Sequence, residues 1–501
     1  MKYVSTRGGV AGVSSAQAIQ NGLAPDGGLY TPETIPVLTS EQFKALADLN
    51  YQQIAETLLP LFLTDYDPEK LKKMIAAAYA YPDKFSDPKV TPVVKLHDGQ
   101  YILELFHGPT CAFKDVALQL LPHLLTEASR LTQNPKEIII LVATSGDTGK
   151  AALEGFKDIP GTKIIVFFPD QGVSEIQRLQ MVTQEGENTF VVSVKGNFDD
   201  AQNGVKQVFT DLEMIAQLDR HNMTFSSANS INWGRLAPQI IYYFFGYFEM
   251  CRQGVIKAGE KINVSVPTGN FGNILAAYFA KQMGLPIHKF ICASNANNVL
   301  TDFINTGIYN RNRQFFTTMS PSMDILISSN LERLLYYISG CNSQLVREWM
   351  DALKKTGTYQ VDSATAVKIK EEFVGGYATE EATQQAIQQA FQSTGMVLDT
   401  HTAVGQFVYG QYISESGDNL PALIASTANP FKFNTSVLRA IGGAEAVSGI
   451  DEFSLLGKLA TVSGKQIPEG LHSLDKKPVR HQTVCEREQL AQVVQDILNL
   501  K

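Results

Sequence analysis

The chain is short of the features that mark several classes of protein. Cysteine is scarce: five in 501 residues (Cys111, Cys251, Cys292, Cys341 and Cys485), scattered and odd in number, with no pair at metal-ligand spacing. That pattern argues against a disulfide scaffold or a metal site and for reduced thiols in a cytoplasm. No stretch reaches the roughly 20 apolar residues of a membrane span. Basic residues are not in excess: 42 Lys and Arg stand against 50 Asp and Glu, a net charge of -8. As a global balance, this suits a soluble protein without a nucleic-acid surface. Met1-Lys-Tyr-Val-Ser-Thr-Arg7 lacks the apolar core of a signal peptide. Internal repeats and low-complexity tracts are missing as well. The expectation is a cytoplasmic globular chain, too long at 501 residues for one compact core, with two or three domains.

One stretch organises the rest. Tyr101-Ile-Leu-Glu-Leu-Phe106 is a short apolar run rich in strand formers and reads as a buried strand. His107-Gly-Pro-Thr110 breaks it. From Thr110, a candidate N-cap, the residues Ala112, Phe113, Val116, Ala117, Leu120 and Leu121 follow a helical apolar pattern. Lys114 then falls in the first turn. The positive end of the helix dipole and apolar neighbours both disfavour its charge there. A lysine of lowered pKa can attack an aldehyde to form a Schiff base. The ordinary alternative is a surface lysine facing water. Cys111 reads as a small buried filler.

His107-Gly-Pro-Thr-Cys-Ala-Phe-Lys-Asp115 resembles the HGPT-x-AFKD segment of threonine synthases, pyridoxal-phosphate enzymes of the tryptophan-synthase-beta-like, fold type II family. In that family the lysine of this segment holds the cofactor. The resemblance therefore implies pyridoxal 5'-phosphate bound to Lys114.

Downstream the pattern becomes regular. Strands are expected at Ile138 to Ala143, Lys163 to Phe168 and Thr189 to Val194. Helices alternate with them at Thr148 to Phe156, Glu175 to Gln184 and Asp200 to Leu212. A second series follows: helix Trp233 to Phe248, strand Ile262 to Val266, helix Ile274 to Met283, strand Lys289 to Ala293. Alternation at this spacing predicts parallel strands with crossover helices, hence an α/β protein of two lobes with a ligand cleft between them. The opening hundred residues read as a separate α+β layer. Its turn-rich loop is Asn21 to Pro32, its helices cover Ser40 to Leu49, Tyr51 to Leu61 and Pro68 to Ala80, and Val90 to Leu96 looks like a strand. MKYVSTRG and GLAPDGGLYTP in this layer also resemble the amino-terminal region of threonine synthases. Cys341 to Gln392, with Gly-Gly at 375, reads as an appended helical layer. The expected division is 1-97 for the amino-terminal domain, 98-433 for the two-lobed core (smaller lobe about 115-220) and 434-501 for a carboxy-terminal extension.

Four further stretches carry chemistry. Thr144-Ser-Gly-Asp-Thr-Gly149 joins a strand to a helix start, where free N–H groups and the hydroxyls of Ser145 and Thr148 suit an anion. An ordinary helix cap at Asp147 or Thr148 fits equally well. The stretch resembles the TSGDTG loop of threonine synthases, which implies Ser145, Asp147 and Thr148 as substrate-loop residues, with Asp147 holding the loop through backbone hydrogen bonds. Val266-Pro-Thr-Gly-Asn-Phe-Gly-Asn273 is a second strand-to-helix loop whose glycines allow close backbone approach, and it is no Walker loop. It resembles the family's GNFG-x loop, implying Gly269, Asn270, Phe271, Gly272 and Asn273 at the cofactor phosphate. Ser227 to Arg235 is polar up to Trp233; those side chains could cap the next helix or, with an arginine, fork a phosphate. It resembles SANSIN-x-x-RL, implying Asn229, Asn232 and Arg235 at the substrate phosphate. Ala422 to Phe433 is a buried strand ending in hydroxyls and resembles STAHPAKF, implying Thr427 at the ring nitrogen. A hydroxyl there leaves that nitrogen neutral. Asn429 and Phe431 depart from the motif, which has His and Ala.

Met323-Asp-Ile325 and Ser329 to Leu334 also fit the family, in a segment read as mostly helical and structural. His401 reads as a helix cap. The resemblance runs in order from Met1 to about Phe433. It implies conversion of O-phospho-L-homoserine and water to L-threonine and phosphate by a carbon–oxygen lyase, the last step of threonine biosynthesis. It implies a small-molecule substrate; charge, hydropathy and cysteine spacing add the expectation of no nucleic acid, membrane or metal partner, and the expected state is a monomer or weak homo-oligomer. A phospho-lyase releasing 2-oxobutyrate and a non-catalytic paralogue are the alternatives.

Overall fold

The structure, a computed structural model, describes residues 1–500 apart from Ser145 and Gly172. Two sheets carry the architecture. The larger has six strands in the order Phe373–Tyr377, Ile287–Ser294, Ile262–Pro267, Ala422–Ser426, Gln100–Glu104, Val93–His97. All neighbours run parallel except the last pair. The smaller has five parallel strands in the order Thr483–Cys485, Thr189–Val194, Thr162–Pro169, Glu137–Ala143, Met223–Ser226.

Period-two alternation explains how the smaller sheet is covered. Ile138, Ile140, Val142, Ile164 and Val166 face the main core. Ile139, Leu141, Ile165, Phe167 and Val192 face a separate cluster built with Ala201, Val205, Leu490 and Val494. Strands buried on both faces read as continuous apolar runs, as parallel sheets do. In the larger sheet, adjacent residues Leu423 and Ile424 point to opposite helices. A Cβ at Gly246 in the helix Trp233–Arg252 would stand 2.9 Å from Leu423, and one at Gly405 in the helix Thr400–Ser416 would stand 3.6 Å from Ile424. The helix Trp233–Arg252 is buried almost all round, so its apolar length reflects a core position. Among the described residues, no helix is long and apolar enough to cross a membrane.

The amino-terminal layer packs on the lysine-bearing segment. Tyr79 donates its hydroxyl to the Val116 carbonyl (2.9 Å), Tyr66 to that of Leu124 (2.9 Å), and Phe62 lies against Trp233.

Three expectations need correction. Thr110 does not cap the lysine helix; that helix is short, Lys114–Leu118, and Phe113 precedes it without a side-chain cap. The residues 341-392 are not purely an appended helical layer, because Phe373–Tyr377 forms the edge strand of the large sheet. Gly375 and Gly376 hid it: glycine is a poor strand former, but a Cβ at 375 would meet Thr301 Cα at 3.0 Å and one at 376 would meet Val408 at 2.5 Å. The segment around Met323 is mostly irregular, with a single 3-10 turn at Pro321–Met323 before the helix Leu331–Ile338.

The residues after 433 tie the two lobes together. The helix Asn434–Gly442 packs on Glu380–Thr394, while Glu452–Ser463 packs on Glu175–Val182 beside the small sheet. Thr483–Cys485 then joins that sheet beside Thr189–Val194. Between them Gly470 presses on the lysine loop: a Cβ there would stand 2.2 Å from the Pro109 carbonyl oxygen.

Candidate active site

The strand Gln100–Glu104 runs parallel to Ala422–Ser426, and the chain beyond both stays stitched together. Leu105 N–H donates to the Ser426 carbonyl (2.9 Å) and Phe113 N–H to the Thr427 carbonyl (2.8 Å). Lys114 is thereby fixed next to Thr427, which is itself buried. Within the loop, Thr110 donates its N–H (2.8 Å) and its hydroxyl (2.6 Å) to the Asp115 carboxylate. Gly108 leaves room for this, since a Cβ there would stand 2.4 Å from Asp115 Cβ. Cys111 is buried and its thiol is pushed up to about 12 by burial, so it is chemically quiet.

Lys114 Nζ lies 3.4 Å from Ser322 Oγ and 3.9 Å from Asp147 Oδ2. Its side chain keeps 11% exposure. Burial pushes the amine down, Asp147 opposes, Arg235 and Lys432 add to the fall, and the result is about 8. Of the two expected reasons, loss of water dominates; the helix behind Lys114 spans only five residues.

Asp147 opens the helix Asp147–Phe156, which crosses the lysine helix where a Cβ at Gly155 would sit 2.0 Å from the Leu118 carbonyl oxygen. Its expected role is to hold the loop through backbone hydrogen bonds; among the described residues its carboxylate meets side chains instead. It takes Lys432 Nζ at 2.7 Å and Gln177 Nε2 at 3.0 Å. Burial works against the charge, yet Lys432 and Lys114 hold the carboxyl well below the usual range. The loop itself is held by Thr144, whose Oγ1 accepts from the N–H groups of Gly146 and Gly149 (3.0 Å each). Thr148 is half-buried in the first turn of the same helix. Ser145 lies outside the described residues.

The loop from Gly269 to Asn273 lies across Ser322 from Lys114: a Cβ at Gly269 would stand 2.6 Å from the Ser322 carbonyl oxygen. Phe271 adopts a left-handed conformation (φ 63°), and the helix Gly272–Gln282 starts without a side-chain cap. Asn330 fastens the loop, its Nδ2 donating to the Asn270 carbonyl at 3.0 Å, and Ser328 Oγ donates to that of Gly269 at 2.7 Å. Arg333, fully buried, ties Asn330 to the carbonyls of Tyr30 and Ile231. Asn273 takes the Tyr243 hydroxyl on Oδ1, while its Nδ2 is buried without a partner among the described residues.

Arg235 is buried, donates Nη1 to the Ala228 carbonyl (2.9 Å), and has no partner for Nε among the described residues. Burial pushes it down to about 10, which marks a guanidinium short of counter-charge. Asn229 is exposed on the same loop. Asn232 is spent on structure: Nδ2 donates to the Ile19 and Ser227 carbonyls and Oδ1 accepts from Gly234 N–H, capping the helix that carries Arg235.

Sequence reasoning assigned no role at this site to Lys432, Ser322, Gln177, Thr144 or the Asp399–His401 pair. Lys432 lies inside the Ala422 to Phe433 motif, and its lack of any exposure is what sets it apart from a surface lysine. Ser322 adjoins Met323-Asp-Ile325, read only as structural. Asn429 accepts Phe431 N–H (3.1 Å) and so shapes the turn that presents Lys432; Phe431 is buried.

Three family models match: Threonine synthase N terminus at residues 2–79, Pyridoxal-phosphate dependent enzyme at 86–416, and Threonine synthase, C-terminal at 402–497. The chain is 41% identical over 436 residues to human Threonine synthase-like 1, covering 85% of this chain and 58% of that one. It therefore spans little more than half of that relative's length. Threonine synthase of Pseudomonas aeruginosa is 37% identical over 449 residues, with coverage of 89% and 92%. The solved structure of PLP bound threonine synthase from Brucella melitensis superimposes with a TM-score of 0.87 at 36% identity, covering 99% and 98% of the two chains.

Proposed function

The chain belongs to the threonine synthase family, and on that premise we propose that it converts O-phospho-L-homoserine and water to L-threonine and phosphate with pyridoxal 5'-phosphate as cofactor. One observation carries the reading. A desolvated lysine, Lys114, stands one serine away from an uncapped helix start, with buried arginine nearby.

The residues present fit the cofactor. Among the described residues, Arg235 Nε and Asn273 Nδ2 are buried donors without acceptors, and the first N–H groups of the helix at Gly272 have no capping side chain. Donors in that state favour an anionic group. Lys114 would hold the cofactor; Gly269, Asn270, Phe271, Gly272 and Asn273 would hold its phosphate, and Thr427 its ring nitrogen. When bound, the cofactor supplies an aldehyde for Lys114 and an electron sink for charge developing on the substrate.

The chain's own groups do the rest. An amine near 8 is partly unprotonated at neutral pH, so Lys114 can take a proton from the substrate Cα and return it. Asp147 keeps that amine from falling further. Ser145, Asp147 and Thr148 supply the loop for the substrate carboxylate. Arg235 and Asn229 receive the substrate phosphate, and stabilising it as it leaves favours elimination. Asn232 serves from behind, by capping the Arg235 helix. We take the protein to act in the cytoplasm as a monomer or weak homo-oligomer, divided at about 97/98 and 433/434.

A second reading is a phospho-lyase that releases 2-oxobutyrate from the same substrate. Phe431, buried beside Lys432 where the motif has alanine, is the observation that favours it. One experiment separates the readings: incubate the protein with pyridoxal 5'-phosphate and O-phospho-L-homoserine, and measure threonine, 2-oxobutyrate and phosphate. Threonine with equimolar phosphate is expected. Lys114→Ala should abolish both turnover and the cofactor absorbance band; turnover without that lysine refutes its role.

A further inference from the structure

Ser322 stands where three parts of the site meet, and the reaction as described gives it no work. Its Oγ is 3.4 Å from Lys114 Nζ and 3.5 Å from Asp147 Oδ2. Its carbonyl oxygen lies under Gly269. Its N–H donates to His401 Nε2 at 3.2 Å. That bond needs a bare Nε2, so the ring proton sits on Nδ1, where Asp399 Oδ1 accepts it at 3.0 Å. Asp399 has no exposure and His401 has 2%. Asp399 also caps the helix Thr400–Ser416, taking His401 N–H at 2.9 Å and the Thr402 hydroxyl. Thr402 Oγ1 in turn lies 2.9 Å from Ser426 Oγ, next to Thr427. The cap is complete without the imidazole ring. The ring's far edge is spent on Ser322, and the ring packs edge-to-face with Phe433 at 4.9 Å between centroids.

We propose that Ser322 is a catalytic residue that aims the Lys114 amine, and that Asp399 and His401 are positioning residues that hold Ser322 in place. The inference rests on Lys114 being the reacting amine, as proposed above. The Ser322 hydroxyl donates toward Asp147 and keeps a lone pair for an N–H of Lys114. An amine that gives one N–H to a fixed oxygen presents its own lone pair in a fixed direction. Orientation of this kind raises rate more than binding. Contacts of 3.4 and 3.5 Å are long, as those at catalytic groups often are before substrate is bound. The charged groups that act on Lys114 are Asp147, Arg235, Lys432 and Asp115, and among the described residues Ser322 is its neutral hydrogen-bond partner.

The test compares the unsubstituted full chain with Ser322→Ala, His401→Gln and His401→Leu. Glutamine can offer an acceptor where Nε2 stands; leucine cannot. Loaded with pyridoxal 5'-phosphate, Ser322→Ala should keep its absorbance band and a KM within about twofold, while kcat falls about ten- to a hundredfold. His401→Leu should fall similarly and His401→Gln should recover most of the loss. Without cofactor, the pH midpoint of Lys114 acylation by acetic anhydride, read by mass spectrometry, should move about half a pH unit lower in Ser322→Ala, because the charged amine loses an acceptor. An unchanged kcat or an unmoved midpoint overturns the role of Ser322. Equal losses in the two His401 variants overturn the positioning pair. An unsubstituted chain that shows no cofactor band sinks the proposed function instead, and the acylation midpoint still decides whether Ser322 serves the amine.

Discussion

Replacing Lys114 by methionine should stabilise the cofactor-free chain, although it destroys the proposed site. Burial lowers the amine from 10.5 to about 8. At about 1.4 kcal/mol for each pH unit, holding that charge in the folded state costs about 3.5 kcal/mol. Between pH 8 and 10.5 the unfolded lysine keeps a proton that the folded one has released, so native stability rises with pH across that window. Below pH 8 both forms are charged and the whole cost is present. Methionine fills much of the same volume and carries no charge. Asp147 keeps Lys432 at 2.7 Å and is not left unpaired. The gain from Lys114→Met should therefore be full at pH 7, shrink from pH 8 upward and vanish near 10.5. Urea-unfolding midpoints of the two cofactor-free proteins at pH 7, 9 and 10.5 measure it. A variant no more stable at pH 7, or a gap that does not narrow with pH, would refute the idea that desolvation prepares this amine.

Three other outcomes follow from the same geometry. Lys432→Met leaves the Asp147 carboxylate buried with Gln177 and Lys114, which should cost about 3–5 kcal/mol in urea unfolding; it should also raise the Lys114 acylation midpoint, since a repelling cation is gone. Asn330→Ala frees the Asn270 carbonyl and should weaken retention of pyridoxal 5'-phosphate about tenfold, measured by equilibrium dialysis, with little change in kcat at saturating cofactor. Gly470→Ala forces a methyl group against the Pro109 carbonyl oxygen and should lower stability by about 1–3 kcal/mol while loosening the cofactor; a wild-type thermal midpoint would count against that packing.

The alternation of strands and helices was legible because each parallel strand is buried on both faces and bounded by turn residues. Thr189–Val194 coincides with its expected limits, and Glu137–Ala143 differs by one residue. Phe373–Tyr377 was not legible, because two glycines demanded by neighbouring helices mask its strand character. Met223–Ser226 escaped notice as a four-residue strand at the sheet edge. Lys114 and both strand-to-helix loops were found through local motifs. Ser322, His401 and Lys432 were not, because each gains its position only when segments 79 to 322 residues apart come together. Asn232 shows the converse: a residue inside a strong motif whose side chain is consumed by folding.

The strand at Thr483–Cys485 has a consequence for biosynthesis on the ribosome. Its partner Thr189–Val194 emerges about 290 residues earlier, so at 5–20 residues per second that edge waits roughly 15–60 s for its neighbour. Until then the nascent chain displays an unpaired β-edge beside an uncovered apolar cluster, a template for association with other chains. Slowing translation in the last third of the message should increase aggregation of this protein, whereas supplying residues 434–500 as a separate polypeptide during synthesis should reduce it.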